Sequence, residues 1–166
     1  MDENALKALA VDYLAARHKF LQATDKVELF HGNDNIVGRI GEFVAMLFLK
    51  RQGRTVSKAT SKVQKGFDLL VDQKVEISVK VITAENNLGR TTRVKKPWSE
   101  LILVTLNAHY EVDRIGHITA IEMAAAVSQG FLKSEEPYAN RNMVKDGGLF
   151  ERFGRLYKDA DVEGYL

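Results

Sequence analysis

The sequence predicts an α/β fold with three layers, in which a central mixed sheet is packed between helices and the N-terminal helices lie on one side. Residues 5–21 and 36–52 repeat their apolar side chains at helical spacing. Short β-rich runs occupy most of residues 55–121, and the alanine-rich segment 122–130 is typical of a helix. This order of helix, helix, sheet and helix indicates the layered arrangement.

The strands are predicted from β-branched and apolar runs separated by turn residues. They are TVSKA (55–59), FDLLV (67–71), VEISVKVIT (75–83), ELILVTLN (100–107) and YEVDRIGHITAI (110–121). The run ELILVTLN is continuously apolar, which is typical of a strand buried on both faces. The polar segments 88–97 and 133–148 are predicted to be loops, and 149–159 a short terminal element. Gly38 and Gly41 each weaken the second helix by roughly 1 kcal/mol, which indicates close packing there.

Length and composition predict one domain, residues 1–166. Within it, 1–35 is expected to be a helical extension, 36–122 a core and 123–166 a set of C-terminal helix and loop elements. The chain is 45% hydrophobic and 28% charged, which is enough apolar material for a core. It has no cysteine, so disulfides, zinc–thiolate sites and cysteine nucleophiles are excluded. No segment is typical of a signal peptide or a membrane span, and we expect a cytoplasmic protein.

Positive charge is concentrated in two segments that contain no acid. The first, residues 43–67, carries Lys50, Arg51, Arg54, Lys58, Lys62 and Lys65, and the second, residues 88–99, carries Arg90, Arg93, Lys95 and Lys96. Elsewhere the acidic residues outnumber the basic ones. The two basic segments flank the hairpin 66–87, which predicts a face that binds a polyanion.

The hairpin itself carries groups suited to phosphodiester hydrolysis. Glu76, Ser78 and Lys80 alternate along one strand and therefore share a face, while the residues between them point to the core. Asp68 lies on the preceding strand, which a short turn brings alongside. Carboxylate oxygens bind Mg²⁺, and a nearby lysine can steady a hydroxide or a developing negative charge.

The order of three short motifs resembles that of the PD-(D/E)xK nuclease superfamily, which includes restriction endonucleases and Holliday-junction resolvases. The motifs are GE at Gly41–Glu42, GFD at Gly66–Asp68 and ISVK at Ile77–Lys80. The resemblance implies a restriction-endonuclease-like fold, with Asp68 as a metal ligand and Lys80 as the catalytic lysine. It also implies that Glu42, on the helix, reaches the same site.

The sequence departs from the superfamily pattern at Ser78, where a second acid is expected. Glu42 and Glu76 are equal candidates to replace that acid as a ligand of Mg²⁺ or Mn²⁺. The resemblance implies a metal-dependent DNA endonuclease or a resolvase-like phosphodiesterase. Cutting both strands of a duplex would need two active sites, so we expect a homodimer. The sequence has no GxxxxGK or GxGxxG loop, which argues against a nucleotide cofactor. The alternative is a catalytically impaired relative that binds nucleic acid or a protein. The residues expected to hold phosphates are Lys58, Lys62, Lys65, Arg90, Arg93, Lys95 and Lys96.

Overall fold

The computed structural model describes residues 2–24, 35–58, 67–86 and 90–166. Its helices are α1 (Glu3–Thr24), α2 (Asn35–Arg51), α3 (Ala120–Ser128) and α4 (Leu149–Phe153). Its strands are β1 (Val56–Lys58), β2 (Leu69–Val71), β3 (Val75–Ile82), β4 (Arg90–Arg93), β5 (Glu100–Leu106), β6 (Val112–Thr119), β7 (Tyr138–Asn140) and β8 (Arg155–Lys158). The predicted α/β class and the mixed central sheet are confirmed.

The main sheet has the strand order β1-β2-β3-β5-β6-β8. β3 and β5 run parallel, and the other neighbouring pairs are antiparallel. β5 lies in the middle of the sheet and is buried along nearly its whole length, as its continuous apolar run predicts. The sheet therefore places the hairpin β2–β3 beside its most buried strand.

Two apolar clusters cover the two faces of the main sheet. The first joins α1 and α2 to Ile77, Val79 and their neighbours, and the second joins α3 and α4 to Ile82 and the opposite face of β5. The N-terminal helices thus lie on one side, as predicted. α1, which lies within the segment expected to be a helical extension, contributes Ala10 and Leu14 to the first cluster.

Two predicted loops are wrong. β4 lies within residues 88–97 and pairs antiparallel with β7, which lies within residues 133–148, to form a separate two-stranded sheet. We call this pair of strands the β4–β7 ribbon. The expected terminal element 149–159 consists of α4 and β8, and β8 is the outer strand of the main sheet beside β6.

The close packing predicted at the glycines of α2 is found at Gly41 and not at Gly38. A Cβ atom on residue 41 would come within 1.8 Å of the Cγ2 atom of Val81 on β3, whereas a Cβ on residue 38 would meet no atom of the described residues within 4 Å. The backbone of α2 therefore approaches the face of β3 that carries Val81, the residue after Lys80. Among the described residues, no helix is both long and apolar enough to cross a bilayer.

Candidate active site on the β2–β3 hairpin

The carboxylate of Asp68 is fixed against β3. The backbone N–H of Asp68 donates to the carbonyl of Ile77 at 2.8 Å, and its Oδ2 accepts a hydrogen bond from the backbone N–H of Val79 at 2.7 Å. Among the described residues, no donor contacts the other oxygen, Oδ1. Because Val79 precedes Lys80, the carboxylate lies beside the strand position of the lysine, as the predicted hairpin requires.

Lys80 is half-buried, and no carboxylate in the described part of the chain forms an ion pair with it. Its backbone lies opposite Leu103 of β5 in the parallel pair. Its side chain shares a face of β3 with Ser78 and Ile82, because strand side chains alternate. Ile82 belongs to the cluster under α3 and α4, so the lysine emerges at the margin of that cluster.

Ser78 is buried, with only 1% of its surface exposed. The expectation that its side of β3 is the polar face and the other side the core is therefore wrong at this position. The second apolar cluster covers that side, because α3 and α4 pack there. An acid at residue 78 would be a buried carboxylate, which is costly without a partner such as a cation or a metal ion.

Glu42 lies at the same end of the β2–β3 hairpin as Asp68 and Lys80. Its Oε2 is 3.3 Å from the Nζ atom of Lys58, and Lys58 lies opposite Leu69, the residue after Asp68. On the other side, Gly41 contacts Val81, the residue after Lys80. Two independent contacts thus bring the start of the Glu42 side chain toward the part of the sheet that carries Asp68 and Lys80.

Glu76 lies near the opposite end of β3. It pairs with Leu70 of β2, and its carbonyl accepts a hydrogen bond from the N–H of Ser99 at 2.7 Å. Four residues of strand separate it from Lys80, which corresponds to roughly 13 Å. The Asp68 carboxylate leans toward Val79, away from Glu76. Glu42 and Glu76, which are equal candidates for the second metal ligand in the sequence, therefore lie at different ends of the hairpin.

The predicted phosphate-binding residues differ in their environments. Lys58 contacts Glu42, and Lys96 forms an ion pair with Glu135. Lys95 is exposed and has no ion-pair partner among the described residues, and the guanidinium of Arg93 lies 5.1 Å from the ring centroid of Tyr138. Arg90 begins β4, and the remaining two, Lys62 and Lys65, lie outside the described residues.

The carboxylates of Asp68 and Glu42 are oxygen donors of the type that Mg²⁺ prefers. Mg²⁺ is held in many phosphate-transfer sites by one or two carboxylates, with water and substrate phosphate completing the shell. Asp68 and Glu42 would supply those carboxylates. Across residues 2–24, 35–58, 67–86 and 90–166, no three or more Asp, Glu, His or Cys side chains are grouped so that they could hold a metal.

Two further polar clusters were missed by the sequence interpretation. In one, Arg54 holds Glu100 by two hydrogen bonds of 2.6 and 3.1 Å, and His117 Nε2 lies 2.7 Å from the same carboxylate. Burial raises the pKa of Glu100, but the hydrogen bonds with His117 and Arg54 outweigh that effect and bring the pKa to about 2. This cluster ties the end of α2 to β5 and β6.

In the other cluster, Arg17 of α1 donates to Glu85 at 2.5 and 3.1 Å, and the hydroxyl of Tyr110 donates to the same carboxylate. A cleft of about 490 Å³ lies beside it, lined by His18, Leu21, Gln22, Ala84, Glu85, Ala108 and Tyr110. The cleft lies outside the carboxyl ends of β3 and β5. No sequence signal links these groups, because Arg17 and Glu85 are 68 residues apart.

Comparison with known proteins adds no assignment. No protein-family model matches the sequence, and no curated protein is significantly similar to it. The resemblance to the PD-(D/E)xK superfamily therefore depends on the motif order and on the arrangement of Asp68, Lys80 and Glu42.

Proposed function

We propose that this protein is a metal-dependent DNA endonuclease or resolvase-like phosphodiesterase. The observation that carries the proposal is the hydrogen bond of 2.7 Å from the Val79 N–H to the Oδ2 atom of Asp68. This bond holds the Asp68 carboxylate next to the strand position of Lys80. The contact of Gly41 with Val81 supports it, since it carries Glu42 to the same end of the hairpin.

Asp68 and a second carboxylate, Glu42 or Glu76, would hold Mg²⁺ or Mn²⁺. Such an ion polarises a phosphoryl oxygen and lowers the pKa of a bound water. Glu42 is the better candidate, because Lys58 places it next to the start of β2, whereas Glu76 is on the far side of Ser78. Glu42 would have to leave Lys58, an exchange that costs little since 69% of the Lys58 side chain is exposed.

Lys80 would orient the attacking water or neutralise charge that develops on the phosphate. Its half-buried position supports this role, because the same charge acts more strongly where less water surrounds it. The basic residues of the two acid-free segments would hold the DNA backbone and give an affinity that falls with salt. Cleavage of both strands would need two copies of the site, which a homodimer supplies.

The test is metal-dependent cleavage by the purified protein. Plasmid and branched DNA would be incubated with Mg²⁺, Mn²⁺ or a chelator, and Lys80→Ala would be compared with Lys74→Ala. Lys74 is an exposed lysine in the turn of the same hairpin, so its loss removes the same charge without touching the site. We expect cleavage that requires metal and is lost in Lys80→Ala alone. Equal activity of both variants would contradict the proposal.

The alternative is a nuclease-fold protein that binds nucleic acid without cutting it. The buried Ser78, where the superfamily pattern has an acid, favours this function. Asp68→Ala separates the two. An enzyme would lose cleavage and keep DNA binding, whereas an inert binding protein would show no cleavage before or after the substitution.

A further inference from the structure

We propose that Arg93 and Tyr138 on the β4–β7 ribbon form a stacking platform for an unpaired base of the DNA. The inference rests on the proposed function and specifies its substrate as DNA with an unpaired segment. It adds Tyr138, a residue that no sequence motif indicates, to the expected DNA-binding surface.

The ribbon is anchored beside the candidate active site. Val94, which follows β4, and Ala139 of β7 are both fully buried in the cluster that contains Ile82. Ile82 lies two residues after Lys80 on the same face of β3. The N–H of Val94 also donates to the carbonyl of Pro137 at 2.9 Å. The burial of Val94 and Ala139 in this cluster, together with contacts between β3 and β4, places the ribbon near the end of β3 that carries the lysine.

The opposite side of the ribbon presents Arg93 and Tyr138. The two residues are direct cross-strand partners, and each is adjacent to a buried anchor residue, so their side chains point away from the core. The guanidinium of Arg93 lies 5.1 Å from the centroid of the Tyr138 ring, and 44% of Tyr138 is exposed. An aromatic ring paired with a cation on a solvent-facing ribbon has the composition of a base-stacking site.

Two other arginine–aromatic pairs show why this one is suited to a ligand. Arg51 lies 3.9 Å from the ring centroid of Tyr165, but Tyr165 is buried and belongs to the first apolar cluster. Arg152 lies 5.3 Å from the ring centroid of Phe131, but Phe131 follows α3 and lies outside the ribbon. Only the Arg93–Tyr138 pair, among these three, lies on the ribbon that carries the second basic segment.

An unpaired base is the ligand that this arrangement fits. A base inside a duplex offers its edge to a protein, whereas an unpaired base offers its π-face, which stacks on aromatic rings largely without regard to sequence. Lys95 is exposed two residues along the chain from Arg93 and has no ion-pair partner among the described residues. It would neutralise the phosphate next to a stacked base.

Fluorescence anisotropy with labelled oligonucleotides in EDTA tests the inference without cleavage. The probes would be a single strand, the same strand with abasic sites in place of its bases, and the full duplex. Tyr138→Ala should weaken binding of the single strand roughly tenfold, as expected for the loss of one base–aromatic contact, and leave the duplex within about twofold. Tyr138→Phe should bind like the wild type, since it keeps the ring.

Phe131→Ala is the matched control, because Phe131 is also an exposed ring beneath an arginine. It should not change binding of any probe, and thermal unfolding should show that all variants are folded. The inference would be overturned if Tyr138→Ala had no effect, weakened every probe equally, or weakened the abasic strand as much as the intact strand. Absence of binding of every probe by the wild-type protein would instead reject the proposed function, and the inference with it.

Discussion

Gly41 of α2 lies so close to Val81 of β3 that a Cβ atom on residue 41 would come within 1.8 Å of a methyl group of that valine. This approach sets the distance between the helix and the strand that carries Lys80. The neighbouring residue Glu42 owes its position over the hairpin to the same contact.

Replacement of this glycine should therefore have the opposite effect from replacement of Gly38. Gly41→Ala should lower the free energy of unfolding by about 1–3 kcal/mol, because the new methyl group forces α2 away from β3. Gly38→Ala should raise it by up to about 1 kcal/mol, since none of the residues that the structure describes lies within 4 Å of the added Cβ and alanine favours the helix. Urea unfolding of both variants measures the difference. A stabilised Gly41→Ala protein would contradict the described packing.

The choice between Glu42 and Glu76 can be made by a matched pair of substitutions. Glu42→Gln should reduce metal-dependent cleavage by roughly a hundredfold, because it removes a ligand charge worth several kcal/mol in the transition state. Glu76→Gln should stay within about threefold of the wild type, since Glu76 lies near Ser99 at the other end of β3. Titration of Mg²⁺ with each variant should show weaker metal binding for Glu42→Gln only. The reverse order of effects would identify Glu76 as the ligand.

Glu100 should make the fold sensitive to acid. Its folded pKa of about 2 lies below the ordinary value of 4.5, because the hydrogen bonds with His117 and Arg54 outweigh its burial. A depressed folded pKa contributes stability that is complete above about pH 4.5 and is lost as the pH falls toward 2. The contribution is on the order of 3 kcal/mol at most.

Urea unfolding at several pH values measures this contribution. Glu100→Gln should be less stable than the wild type at neutral pH, and its stability should fall less between pH 4.5 and 2. Parallel curves for the two proteins over that range would show that Glu100 is not the titrating group.

Tyr110 should make the fold sensitive to alkali, whereas Glu100 makes it sensitive to acid. Burial and the hydrogen bond to Glu85 raise the pKa of its hydroxyl. Its contribution to stability is therefore complete below the ordinary tyrosine pKa of about 10 and is lost as the pH rises above that value. Ultraviolet titration of wild type and Tyr110→Phe should differ by one ionisation that occurs only well above pH 10. A difference at about pH 10 would mean that the hydroxyl is not held by Glu85.

Lys95 and Lys96 should contribute unequally to DNA binding. Lys95→Ala should lower the slope of log K against log salt concentration by about one, the value for one lost phosphate contact. Lys96→Ala should lower it less, since Glu135 already neutralises that ammonium group. Anisotropy titrations over a range of salt concentrations measure both slopes. Equal slopes for the two variants would place the two lysines in the same electrostatic environment.

The sequence predicted best those elements whose pattern is local. β3 and β5 follow from alternating and continuous apolar runs, and α3 from an alanine-rich segment, although the helix begins at Ala120, two residues before the predicted start, where Thr119 caps it. β4 and β7 were missed because neither carries a periodic apolar pattern. Each of the two strands forms only by pairing with the other, Arg90 with Asn140 and Arg93 with Tyr138. A contact between residues so far apart in the sequence leaves no local signal.

The same distinction applies to the candidate site. The adjacency of Asp68 and Lys80 could be predicted, since a tight hairpin determines it. The separation of Glu42 from Glu76 could not, because it depends on the packing of α2 against Val81. The burial of Ser78 was also unpredictable from its own strand, as it results from the helical layer formed by residues more than 40 positions later.

One outer edge of the main sheet is formed by β8, a strand of only four residues, Arg155–Lys158. A positive side chain stands at each end of this strand, and the next residue, Asp159, turns the chain away with a φ of 54°. A short, charged edge is a poor template for the backbone of another chain. The protein is therefore protected on this side against edge-to-edge aggregation in concentrated solution, although its central strands are long apolar runs.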